Sequence, residues 1–205
     1  MAGMNRIAIV VGTLVAAAIA AGAAGAIAVS AGVYNVAADA PHTALVSSLL
    51  KAVRTNAIQT RAKDIAVPAN LNDPERVAAG ASEYSEMCAQ CHLAPGMEKT
   101  EISQGLYPSA PEFAKGDFLD PAEQFWVVKH GIKFTSMPAW GVTHPDGLLW
   151  NIVAFVRKLP TLSPAQYTNM TANASEAHDN MMKNMDMMKD MPGMGAHHDG
   201  NDHHP

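Results

Sequence analysis

The chain has 205 residues, 48% of them apolar and only 16% charged, with a formal net charge of −5. That length suits one domain plus appendages. Residues 73–160 carry eleven Asp/Glu against seven Lys/Arg, so no basic face is on offer and nucleic-acid binding is excluded as a reading.

Taken in chain order, the first element is an uncharged run of 27 residues, Ile7 to Val33. Roughly 20 apolar helical residues cross a bilayer core, so this run is long enough for a membrane span. Arg6 precedes it, and the first charge after it is Asp39, an asymmetry that keeps the N-terminus in the cytoplasm. A cleaved signal peptide is the competing reading, with a small-residue site at Val29-Ser30-Ala31, although its apolar region is usually shorter, about 7–15 residues. Either way the rest of the chain is exported.

From Thr43 to about Asp64, Leu45, Val46, Leu49, Leu50, Val53 and Ile58 recur at helical spacing, which predicts an amphipathic helix. Lys51, Arg54, Arg61 and Lys63 form a solvated face or touch anionic headgroups. Asp73-Pro74 opens the next helix, an acidic cap followed by proline at the first helical position. It runs to Met87, carrying Gly80 and Tyr84 on one face. Residues 93–119 are rich in Pro and Gly and predict a long wrapping loop, a kind of segment that is usually functional. Asp120-Pro121 repeats the cap signature for a helix ending at Gly131. An irregular loop with Met137 and Trp140 follows. The helix after His144-Pro145-Asp146 sets Leu148, Leu149, Ile152, Val153 and Phe155 on one face and ends before Pro160. Ser163-Pro164 starts a brief further helix, and from about Thr171 the chain turns polar and low in complexity.

Cys88-Ala89-Gln90-Cys91-His92 carries the chemistry. Two thiols three residues apart with a histidine directly after them suit a covalently attached haem. A structural zinc site normally needs four ligands, and no second cysteine pair exists. A thioredoxin-like motif would follow a strand. A plain disulfide leaves His92 unexplained. If the iron carries electrons rather than activating oxygen, it needs a second axial ligand, and a Met/His pair raises the potential. Met137, 45 residues past His92, is the candidate. Met87 and Met97 read as core filler, and His130 and His144 as helix-end residues.

CAQCH, then GIKFTSMPAWG, then LLWNIVAFVRKLP together resemble a bacterial class I c-type cytochrome with one haem. The resemblance covers roughly residues 73–160. It implies an all-α fold in which the helix before CAQCH crosses the last helix, with Gly80 and Tyr84 against Ile152 and Phe155. It implies thioethers at Cys88 and Cys91, and His92 and Met137 as axial ligands. It further implies a proline carbonyl that accepts the His92 Nδ1–H, best matched by Pro111 with Pro108 as rival, and a place for Trp140 at a haem propionate or against the ring. The expected layout is a transmembrane anchor over 1–34, an amphipathic helix and linker over 35–72, the haem domain over 73–160, and a short helix and disordered tail over 161–205. The expected role is one-electron transfer in the periplasm, in a respiratory or related chain, from the bacterial inner membrane. Its partners would be a redox donor and acceptor, with no small-molecule substrate. A peroxidase-like haem enzyme is the alternative if Met137 is off the iron.

The tail holds seven methionines in fourteen residues, Met181, Met182, Met185, Met187, Met188, Met191 and Met194, followed by His197, His198, His203 and His204. Thioethers favour Cu(I), while imidazoles suit Cu(II) or Zn(II). Copper at this tail, and hence a metal-handling protein, is one expectation. A metal-free tail, or a helix with Met181, Met185 and Met188 as its apolar stripe, is the other.

Overall fold

The computed structural model describes residues 2–116 and 118–189, and it forms two compact units, residues 1–41 and 42–205. The first unit contains helix α1 (Ala2–Ser30). Its stretch Arg6–Ser30, 25 residues, is long and apolar enough to cross a membrane.

In the second unit every regular element among the described residues is helical. Helix α2 (Ala44–Ala62) starts at Thr43, whose hydroxyl accepts from the Val46 amide. It buries Ile58 and Ala62 and packs on α6, while Leu45, Leu49 and Val53 stay exposed. Helix α3 (Pro74–Met87) has Asp73 at its N-cap position, but that side chain makes no capping hydrogen bond, so the carboxylate acts only through its charge at the positive helix end. A single turn, α4 (Ala89–His92), follows directly. The wrapping segment is less irregular than its composition suggests, because Thr100 caps a short helix, α5 (Glu101–Gly105), and a 3₁₀ turn forms at Phe113–Lys115. Helix α6 (Pro121–His130) has a full capping box from Asp120 and Glu123. A 3₁₀ turn at Trp140–Val142 leads to α7 (Asp146–Lys158), then a 3₁₀ turn at Leu159–Thr161 and α8 (Pro164–Met170), capped by Ser163 and Gln166.

The core is the crossing of α3 and α7. A Cβ on Gly80 would lie 2.0 Å from the Asn151 carbonyl oxygen and 2.9 Å from the Phe155 Cβ, so only glycine permits this approach. Tyr84 fills the neighbouring hollow, with its ring 5.5 Å from that of Phe155, and both side chains are fully buried with Leu149, Ile152 and Val153. Each such side chain stabilises the fold by about 1.5–3 kcal/mol. Phe125 of α6 stacks on Trp150 of α7 at 4.1 Å, and Lys129 pairs with Asp146 at 2.9 Å.

The expectation of disorder after the short helix does not hold for residues 174–189, which form helix α9 (Ala174–Lys189) against α3. Ala174 is buried, Met181 packs against the core, and Ser175 donates to Glu86 at 2.9 Å. These partners lie on α3, far away in sequence, so no local pattern announces them.

Candidate haem site

The cysteine motif is positioned by the end of α3. Cys88 is the C-cap of that helix, and its carbonyl accepts from the amides of both Cys91 (3.1 Å) and His92 (2.9 Å). The motif is therefore one helical turn, which places residues three and four apart on the same face. Leu93, at φ 60°, ends the turn, and its carbonyl accepts from the buried Tyr84 hydroxyl. Burial pushes that phenol well above its usual range, so it acts as a donor that fastens the motif to α3. Thr100 donates to the Gln90 carbonyl from the other side.

Both cysteines are free thiols; Cys88 is buried and Cys91 half-buried. Burial raises the Cys88 thiol to about 12, with Cys91 and Glu83 adding to the rise.

His92 Nδ1 lies 2.9 Å from the Pro111 carbonyl oxygen. A carbonyl only accepts, so Nδ1 carries the proton and Nε2 keeps its lone pair. Burial lowers the His92 pKa and this hydrogen bond only partly opposes it, so the net effect leaves a neutral imidazole at neutral pH. The ring stacks on Phe113 at 4.4 Å.

Met137 sits in a small closed loop. Its amide donates to Thr135 Oγ1 (3.1 Å), the Thr135 hydroxyl donates to the Ile132 carbonyl (2.8 Å), and the Ile132 amide donates back to the Met137 carbonyl (3.2 Å). Gly131, at φ 65°, sits directly beneath, and a Cβ there would lie 2.7 Å from the Met137 carbonyl oxygen. Met137 and Trp140 are half-buried against the core, as are Met97, Phe113 and Phe118. These are apolar, sulfur- or ring-bearing side chains of the kind a porphyrin packs against.

Residues 75–156 match the family described as cytochrome C oxidase, cbb3-type, subunit III. This segment is a class I c-type cytochrome domain. No curated protein and no solved structure matches the chain. The cytochrome domain implies a covalently bound haem c, and the residues present fit one: two unpaired thiols on a single turn and a histidine whose only free nitrogen is Nε2.

The rest of the sequence-derived set divides. Pro108 precedes the contact segment, and it is Pro111 that meets His92. His130 is an exposed helix-end residue with its ring 5.1 Å from that of Trp126. His144 is not the simple helix-start residue it resembles, because it is buried beside Glu83 and His178. Of the tail residues, Met181 and Met182 are half-buried on α9. Met185 and Met188 lie on the backbone of that helix. Met191, Met194, His197, His198, His203 and His204 fall outside the described residues. Sequence reading missed Glu83 and His178 altogether; they meet across 95 positions, and neither belongs to a motif.

Proposed function

We propose that this chain is a membrane-anchored carrier of single electrons between redox proteins on the outer side of the cytoplasmic membrane. The haem c supplies a reversible one-electron couple when bound. Cys88 and Cys91 would hold its edge as thioethers, and His92 Nε2 and the Met137 sulfur would be its iron ligands.

The observation that carries this reading is the hydrogen bond from His92 Nδ1 to the Pro111 carbonyl. Such a partner on the second nitrogen fixes the ring's tautomer and orientation and raises the basicity of the ligating one. A thioether on the opposite face favours the reduced iron and raises the potential. With His92 and Met137 both ligating, the iron would keep no open position for a substrate, which favours a carrier over a peroxidase. Trp140, at the end of the same loop, is half-buried against the core and would add an aromatic face beside the haem.

The apolar helix α1, with Arg6 at its start, supports a single-pass anchor with the cytochrome domain outside. The matched family is described as an oxidase subunit, which supports a place in a respiratory or related chain.

Replacing Met137 by Ala tests the ligand set. The weak red charge-transfer band of Met-ligated ferric haem should vanish, and the potential should fall by a sizeable part of the ~0.8 V that axial ligands span. His130→Ala should leave both unchanged. A Met137→Ala protein that keeps the band refutes the assignment.

A further inference from the structure

Outside the proposed haem ligands, Glu83 of α3, His144 just before α7 and His178 of α9 bring one ligand atom each within 4.8 Å of one another. We propose that these three residues bind a divalent first-row metal ion of the Zn(II) or Cu(II) class, which clips α9 onto the cytochrome domain.

The chemistry of the donors selects the ion. Two imidazoles and a carboxylate make a borderline set suited to Zn(II) and Cu(II), and too nitrogen-rich for Mg(II) or Ca(II). Four-coordinate zinc with bonds of about 2.0–2.1 Å holds its ligand atoms ~3.3 Å apart, so the three groups need only a modest inward movement.

The local hydrogen bonding points the same way. His144 is 6% exposed, and its Nε2 is buried without any partner. Its Nδ1 is already engaged by the Thr143 hydroxyl at 2.7 Å, so Nε2 is the nitrogen left for a ligand. Thr143 then plays the outer-shell role that metal-binding histidines usually have filled. Glu83 is 3% exposed and meets His178 Nδ1 at 2.7 Å. That contact satisfies one carboxylate oxygen and leaves the buried His144 nitrogen unanswered, a costly state for a polar atom. A dication would satisfy both at once. His178 is the most exposed of the three, with 21% of its side chain open, which gives the ion an entry and leaves a fourth position for water.

The test uses the full-length haem-loaded protein with H197Q, H198Q, H203Q and H204Q, so that the tail histidines do not compete. Zn(II) is titrated against a chromophoric chelator, and Cu(II) is followed by electron paramagnetic resonance. One Zn(II) per haem is expected, and Cu(II) should show two coupled imidazole nitrogens. Loss of an outer-shell partner alone costs ~10–100-fold in metal affinity, so His178→Ala and Glu83→Gln should each weaken binding at least ~100-fold. The haem spectrum, unchanged in both, reports that each variant has folded. The proposal is overturned if no single site is found, if both variants bind as the parent does, or if binding occurs only with the tail histidines intact.

Discussion

At the scale of single residues, Gly80 and His92 show two kinds of constraint. The obstacle over Gly80 is the Asn151 carbonyl, 2.0 Å from where a Cβ would stand, and a backbone atom in a helix cannot rotate aside. Gly80→Ala should therefore cost about 3 kcal/mol, the upper end of the usual overpacking range, read as a lowered denaturant midpoint. His92 is constrained by charge. Burial holds its pKa below the ordinary 6.5, so the unfolded chain binds more protons at this site than the folded one. Its contribution to stability is fully present above about pH 6.5 and declines as pH falls towards the folded value. Iron on Nε2, as proposed above, would act in the same direction. An acid titration followed by haem absorbance should show a plateau above pH ~6.5 and ligand release only well below it. Release beginning above that value would contradict the His92 environment described here.

Among the elements, the junction of α6 with the Met137 loop is the most sensitive. Gly131 has φ 65° and lies under the Met137 carbonyl, so a side chain there strains the backbone and lifts the loop at once. Gly131→Val should weaken the red charge-transfer band without releasing the haem, since Cys88 and Cys91 are untouched. Haem-stained gels and ferric spectra on the same preparation separate the two effects. The helices that were legible in the sequence were those written in local chemistry. Asp120-Pro121 with Glu123 and Ser163-Pro164 with Gln166 both form complete caps. Gly80 and Tyr84 were legible through the family resemblance. Helix α9 was legible only as an alternative, the Met181, Met185 and Met188 stripe, because Met181, which packs against the core, sits in a polar run and the helix's partners, Glu83 and Glu86, lie on α3. For the same reason His144 read as an ordinary helix-start residue: its environment is assembled from three separate stretches of chain.

For the whole molecule, the cytochrome domain is acidic, with eleven Asp/Glu against seven Lys/Arg over residues 73–160, and haem propionates add to this. Electron transfer with a basic partner protein should slow several-fold as ionic strength rises from about 10 to 150 mM, because screening shortens the reach of the steering field. Stopped-flow rates that are flat across that range would remove charge from the account of encounter. Fractionation of expressing cells should place haem-stained protein in the membrane pellet, and removing residues 1–34 should move it to the soluble fraction.

The α3–α7 crossing has a consequence for the order of events during assembly. Arg76 at its start donates to Asn151 across 75 positions, and closing a loop of that length costs about 4 kcal/mol in chain entropy. Once closed, the crossing buries Cys88, and burial raises its thiol pKa; a protonated, buried thiol is a poor nucleophile. Attachment of the haem is therefore expected on the open chain, where Cys88, Cys91 and His92 are close neighbours in sequence. Met137, 45 residues past His92 in the chain, would join the iron, on the proposed ligand set, only after closure. Biogenesis and denaturation should mirror each other: thioethers are first to form and never released, and the methionine is last to join and first to leave.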